Sequence, residues 1–171
     1  DILILPLTRD GQTVSVEMID YQGRKSALAR APRTRAYWTP EPIPQDAHVI
    51  AIGEGMATVL SVHHATGWPV VATFGNSNLE PVSQQFRASH PTATLVLLAD
   101  LQKDTREPDP HARKAADTVK GILATPDLNS ESGKDWNDYA ATNGPEATTA
   151  ALTAILDTRR PTETLRQNHC L

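Results

Sequence analysis

Cysteine is nearly missing from this chain: the single one, Cys170, lies in the polar tail of 171 residues. That excludes an internal disulfide and a zinc site built from this chain's own cysteines. No apolar run approaches the roughly 18 residues needed to span a bilayer, and the amino terminus lacks the basic region, apolar core and small-residue cleavage site of a secretory signal. A cytoplasmic protein with no membrane partner is expected. Net positive charge is also missing. The formal balance of -4 excludes a wholly basic nucleic-acid coat and leaves room only for a local basic groove. There is no P-loop, no nucleophile elbow and no glycine fingerprint after the first buried strand, so P-loop, α/β-hydrolase and dinucleotide-binding chemistries are set aside. No repeat and no low-complexity tract appears.

A hydrophobic fraction of 39% and a charged fraction of 21% describe an ordinary soluble protein, long enough for one domain with a small appended lobe. An apolar strand directly behind Asp1 suggests a piece of a longer polypeptide. Residues Ile2–Leu7, Thr13–Ile19 and Lys25–Leu28 read as three strands joined by turns at Asp10-Gly11 and Gln22-Gly23, a β-meander. Behind it, GRKSALARAPRTRAYW carries Arg24, Lys25, Arg30, Arg33 and Arg35 without an acid and ends on Tyr37 and Trp38. Cations that track phosphates, interleaved with rings that stack on bases, suit a single-stranded nucleic acid, although a solvated loop has the same composition. The proline-rich TPEPIPQD then reads as a linker, giving a lobe over 1–46, a main domain over 47–157 and a polar, frayed tail over 158–171.

The main domain is organised around His48–Leu79. An apolar run, Val49–Ile52, ends in Gly53-Glu54-Gly55, where glycine permits a sharp turn and close backbone approach. A helical pattern over Met56–Thr66 leads to a second apolar run, Val70–Phe74. Alternation continues with a helix over Asn78–Ser89, a third buried strand at Thr94–Ala99 ending on Asp100, and a polar loop, LQKDTREPDP. A helix from Pro110 to about Ile122 and a short strand over Ile122–Thr125 follow. A short helix opened by Ser132 or Asp135 closes near Gly144, and a last helix runs over Pro145–Leu156. This is an α/β architecture with a parallel sheet, whose ligands sit beyond the carboxyl ends of the strands. Glu54 and Asp100 stand at two such ends. Two carboxylates in one crevice need a cation to offset them, and oxygen-only donors suit Mg2+ or Mn2+ and phosphoryl transfer. His63 and His64 are neighbours and cannot share a helix face, so a paired ligand site is not expected there. Trp68 and Trp136 read as packing residues and His111 as a first-turn surface residue.

The string IGEGMATVLSVHHATGWPVVATFGNSNLEPV followed by LLADLQKD resembles a Toprim domain, the catalytic module of bacterial-type primases, topoisomerases and some nucleases. The opening lobe and the late GKDWNDYAA resemble, more narrowly, the Toprim region of plasmid- and phage-encoded primases and primase-helicases. The resemblance implies a Toprim catalytic domain over 47–157 that synthesises RNA primers on a single-stranded DNA template from ribonucleoside triphosphates, using Mg2+ or Mn2+. It implies roles in catalysis and metal binding for Glu54, Asp100 and Asp135. Where the family's third strand ends in Asp-x-Asp, this chain has Asp100 and then Gln102, a neutral donor, with Asp104 within reach as a substitute. Lys103, Arg113, Lys114 and Lys134 join Arg30, Arg33 and Arg35 as candidates for nucleotide or template contacts. Zinc-binding and helicase functions would reside in other regions of the parent protein. The alternatives are a non-catalytic nucleic-acid-binding module in which Gln102 marks a lost metal site, and a nuclease or topoisomerase fragment, against which no tyrosine stands in a recognisable cleavage context.

Overall fold

A computed structural model describes residues 1–128 and 133–158. Ser132 and the expected frayed tail beyond Thr158 lie outside them. The amino-terminal lobe is a three-stranded antiparallel sheet in the order β1 (Ile2–Arg9), β2 (Gln12–Asp20), β3 (Lys25–Ala27). Asp10 and Gly11 both take positive φ, 51° and 77°, the geometry that a two-residue hairpin turn requires and that Asp-Gly tolerates. Leu5 pairs with Glu17 and Leu7 with Ser15, and these four residues form the buried inner face of the lobe. The chain then stitches lobe to domain: Tyr37 pairs with Thr8, and Trp38 exchanges two backbone hydrogen bonds with Ala72, at 2.9 and 2.8 Å. Trp38 therefore covers the outer edge of the main sheet, an edge that would otherwise be open to pairing.

That sheet is parallel throughout, in the order β5 (Val70–Ala72), β4 (Val49–Gly53), β6 (Thr94–Leu98), β7 (Ile122–Ala124). Alternate residues of each strand face opposite layers. Ile50, Ile52, Leu95 and Leu97 pack against α2 (Leu79–Ser89) and α3 (Pro110–Val119). Ala51, Val70, Val96 and Leu98 pack against α1 (Met56–Thr66) and α4 (Trp136–Asp157). Both faces of the sheet are thus covered, which is why the strands are continuous apolar runs. Each fully buried Val, Ile or Leu contributes about 1.5–3 kcal/mol toward the layer structure. Gly53 packs tightly here: a Cβ there would lie 3.0 Å from Val59 Cγ1 and 3.4 Å from Leu98, so a side chain at this position would make its neighbours shift by a few tenths of an ångström.

The expected elements are present with small shifts. The second and third main strands end at Ala72 and Leu98, short of Phe74 and Ala99. A 3-10 turn (Asn76–Asn78) precedes α2, and α3 stops at Val119 because Lys120 turns left-handed at φ 52°. The last two helices run as one element, broken at Gly144 (φ 83°, ψ 171°) and resumed at Pro145. Gly55, at φ -100°, is not the tight-turn residue that the sequence suggests. No described helix is long and apolar enough to cross a membrane.

Candidate active site

The chain leaves β4 to one side through α1 and returns on the other side as β6, so the sheet's switch point lies between those two strands. Glu54 follows β4 and Asp100 lies just beyond β6, at the edge where open α/β sheets bind ligands. A cleft of about 160 Å³ opens there, lined by Glu54, Asp100, Lys134 and Asp135 from the main domain and by Glu17 and Lys25 from the lobe. Phe74 forms part of its wall, held at φ 49° with its N–H donating to Glu54 O at 2.9 Å.

The segment GKDWND brings the late residues to this place, and nearly every side chain in it is used. The Leu101 amide donates to the carbonyl of Lys134 at 2.6 Å, which pins Lys134 beside the end of β6. Asp135 Oδ1 caps α4, accepting from the N–H groups of Asn137 (2.8 Å) and Asp138 (3.0 Å), and Asp138 Oδ2 accepts from the N–H of Lys134 at 2.8 Å, a reciprocal cap. Trp136 is 1% exposed and donates Nε1–H to Ala124 O at 3.0 Å. Asn137 accepts from the Ser61 hydroxyl on α1.

Charge in the cleft is tightly coupled. Lys134 Nζ lies 3.1 Å from Asp100 Oδ2. Asp100 Oδ1 is buried with no hydrogen-bond partner, and the Glu54 carboxylate accepts no hydrogen bond among the described residues. Burial, and then the Asp100 charge, push the Glu54 carboxyl above its ordinary range against the pull of Lys134. Asp100 is likewise raised, first by burial, with Lys134 opposing and Asp135 and Asp109 adding to the rise. Burial works against the Lys134 charge, but Asp100, Asp135 and Glu54 outweigh it and its pKa goes up. These are the displacements that like charges and desolvation produce where no further cation intervenes.

A divalent ion fits this place by donor chemistry. The donors are all hard oxygens, and an orphaned carboxylate oxygen is buried among them. Among the described residues, no three carboxylates stand close enough to enclose an ion without side-chain movement. Lys134 is the cation now in contact with Asp100.

Of the other candidate residues, the structure brings none into the cleft. Gln102 turns into its own loop, accepting from the Thr105 hydroxyl at 3.2 Å, and Lys103 and Asp104 ride on that loop, away from the lining residues. Lys114 pairs with Glu80 at 2.7 Å. Arg113 lines a separate groove with Lys120. Arg30 is exposed, and Arg35 points toward Asp10 at 3.8 Å. Arg33 is half-buried and committed to internal partners: its guanidinium binds Glu17 at 2.8 Å and the carbonyl of Phe74 at 2.9 Å, fastening the lobe to the cleft wall. Glu17 is 5% exposed, so removing its partner strands a nearly buried charge. Arg33→Ala is therefore expected to lower unfolding free energy by about 1–3 kcal/mol, read from urea melts.

Glu17 is a cleft residue that sequence reasoning misses, and Lys25, read there only as one cation of the basic arm, is not placed beside the acids by it. The available signal for Glu17 was an acid on the inward register of a strand, opposite Leu5. Lys25 Nζ comes near Gly55, lying 3.8 Å from where a Cβ on that residue would be, a consequence of lobe docking alone.

A sequence model of the Toprim domain matches residues 49–146. Among solved structures, the primase fragment of the bacteriophage T7 primase-helicase protein superposes with a TM-score of 0.57 at 17% identity, covering 91% of this chain and 62% of that one. A bacteriophage T7 lagging-strand DNA polymerase assembly includes primase domains bound to an RNA/DNA hybrid and dTTP. It gives 0.60 at 17% identity, covering 90% of this chain and 76% of that one. The chain thus spans 62% of the length of the first of these. The family match extends over more than half of the residues and includes Glu54, Asp100 and Asp135 at the mouth of the sheet, so the chain belongs to the Toprim domain family.

Proposed function

We propose that this chain is the primer-synthesising module of a plasmid or phage replication protein, joining ribonucleotides on a single-stranded DNA template in the cytoplasm. The observation that carries the reading is the convergence of Glu54, Asp100, Asp135, Lys25 and Lys134 on one cleft between lobe and sheet. The T7 likeness, whose assembly holds an RNA/DNA hybrid and dTTP, supports it at the level of the fold. In the reaction, a 3′-hydroxyl oxygen forms a bond to the α-phosphorus of a ribonucleoside triphosphate, the bond to the bridging oxygen breaks, and pyrophosphate leaves. Glu54, with its raised affinity for protons and no competing hydrogen bond, takes the hydroxyl proton. Lys134 exchanges Asp100 for the incoming phosphates, and Lys25 meets them from the lobe side. A Mg2+ or Mn2+ ion held by Asp100 and Asp135 would supply charge neutralisation at the phosphates. Template contacts fall to the exposed Arg30 and Arg35, and zinc-binding and helicase regions to the rest of the parent protein.

Labelled ribonucleoside triphosphates, a single-stranded template and Mg2+ or Mn2+ provide the test. Short RNA products that require the template are expected. Cleavage of the template instead would assign the same acids to a nuclease, and binding without either reaction would leave a nucleic-acid-binding module.

A further inference from the structure

Between Asp100 and α3 the chain makes an excursion that begins and ends at the same point. Leu101 pairs antiparallel with Pro108, the Gln102 amide donates to Glu107 O at 2.8 Å, and the Asp109 amide donates to Asp100 O at 2.8 Å. The hairpin carries Gln102, Lys103 and Asp104 outward and sets Asp109 directly beside Asp100, just outside the residues that line the cleft. We infer that Asp109, and not Gln102 or Asp104, supplies the second negative charge of the Asp100 pair. This rests on the metal-dependent function proposed above.

Asp109 is built like Asp135. Its Oδ1 caps α3, accepting from the N–H groups of His111 (2.7 Å) and Ala112 (3.3 Å), with His111 Nδ1 at 3.2 Å. Its Oδ2 takes no hydrogen bond among the described residues. Two helix caps flank a strand-end acid whose Oδ1 is buried and unpartnered, so each cap spends one oxygen on its helix and keeps the other. The Asp109 charge is felt in the cleft, where it raises both Glu54 and Asp100. With Glu17 neutralised by Arg33, Glu54, Asp100, Asp135 and Asp109 stand against Lys25 and Lys134, leaving an excess of two negative charges that a divalent cation neutralises.

The test is Mn2+ titration followed by the loss of the free-ion paramagnetic signal, on the whole chain. Asn preserves the helix cap, so Asp109→Asn should melt like wild type and lose about tenfold or more in Mn2+ affinity. Asp104→Asn and Gln102→Asp should leave affinity within about twofold, since the hairpin turns both positions away. If Asp109→Asn fails to fold, Asp109→Ser, which also caps, replaces it in the titration. Wild-type affinity in the folded Asp109 variant, or a tenfold gain in Gln102→Asp, overturns the inference and leaves the proposed function standing. No Mn2+ binding by wild type overturns both.

Discussion

Glu54→Gln is expected to cut template-dependent ribonucleotide incorporation by about 10²–10⁴-fold while leaving the protein slightly more stable at neutral pH. The two effects have one cause. Glu54 is partly buried beside Asp100, with no hydrogen bond to compensate, and its carboxyl is raised above its ordinary 4.5 by burial first and by the Asp100 charge second. The folded state therefore holds the Glu54 proton more tightly than the unfolded chain does. Its stabilising contribution is complete below the unfolded value and is lost as pH rises through the higher folded one. At pH 7 the ionised carboxylate works against folding, so the isosteric amide relieves a cost, and the variant should melt a few degrees higher. That advantage should shrink as pH is lowered from 7 toward 4, where wild type regains the proton. Paired melts of the two proteins across this range isolate Glu54, because the lowered carboxyls of Asp20 and Glu80 contribute to both alike. A variant that is less stable at pH 7, or an advantage that grows toward acid, would contradict the electrostatic account. Asp100→Asn should lose activity too, but it deprives Lys134 of its partner at 3.1 Å and so is not expected to gain stability.

The sheet was legible because its signal is local. Val49–Gly53 and Leu95–Leu98 are apolar throughout, which only a sheet covered on both faces can bury, and the strands then place Glu54 and Asp100 at one edge without further information. Asp135 and Lys134 reached the site through a motif whose spacing could be recognised, although the reasons for each residue, the cap, the 2.6 Å backbone tie and the indole, emerge only in three dimensions. What stayed hidden depends on tertiary contacts. The alternation in β2 sets Val14, Val16 and Met18 against Ser15 and Glu17, and the polar pair is the more buried because Arg33 and the cleft lie on that side. An excess of basic residues around Arg33 read as a nucleic-acid arm, yet the Arg33 guanidinium is spent on the nearly buried Glu17. Asp109 was hidden for the opposite reason. It lies nine positions after Asp100 in sequence and is adjacent to it only because the intervening hairpin closes.

Trp136→Ala is expected to be the most destabilising single change at the site, costing about 3–5 kcal/mol, although the indole touches no substrate in the proposed reaction. The side chain is 1% exposed, packs with Val59, Val62 and Leu152, and meets the Tyr139 ring at a tilt of 58° with centroids 5.2 Å apart. Its Nε1–H donates to the carbonyl of Ala124 at the end of β7, which also accepts from the Ala99 amide at 2.9 Å, so truncation removes one of that oxygen's two hydrogen bonds. The position also ties stability to chemistry. Trp136 is the first residue of α4, directly after the capping Asp135 and Lys134, so the indole is the anchor that fixes where both charges meet Asp100. Trp136→Phe keeps most of the apolar volume and forfeits the hydrogen bond, and should cost about 1–2 kcal/mol. Urea melts give the two losses. At a urea-free temperature where both variants remain folded, the Ala variant should also lose incorporation activity well beyond its unfolded fraction, because the segment carrying Lys134 and Asp135 is no longer pinned. Full activity per folded molecule in Trp136→Ala would show that the backbone tie from Leu101 to Lys134 positions those charges by itself.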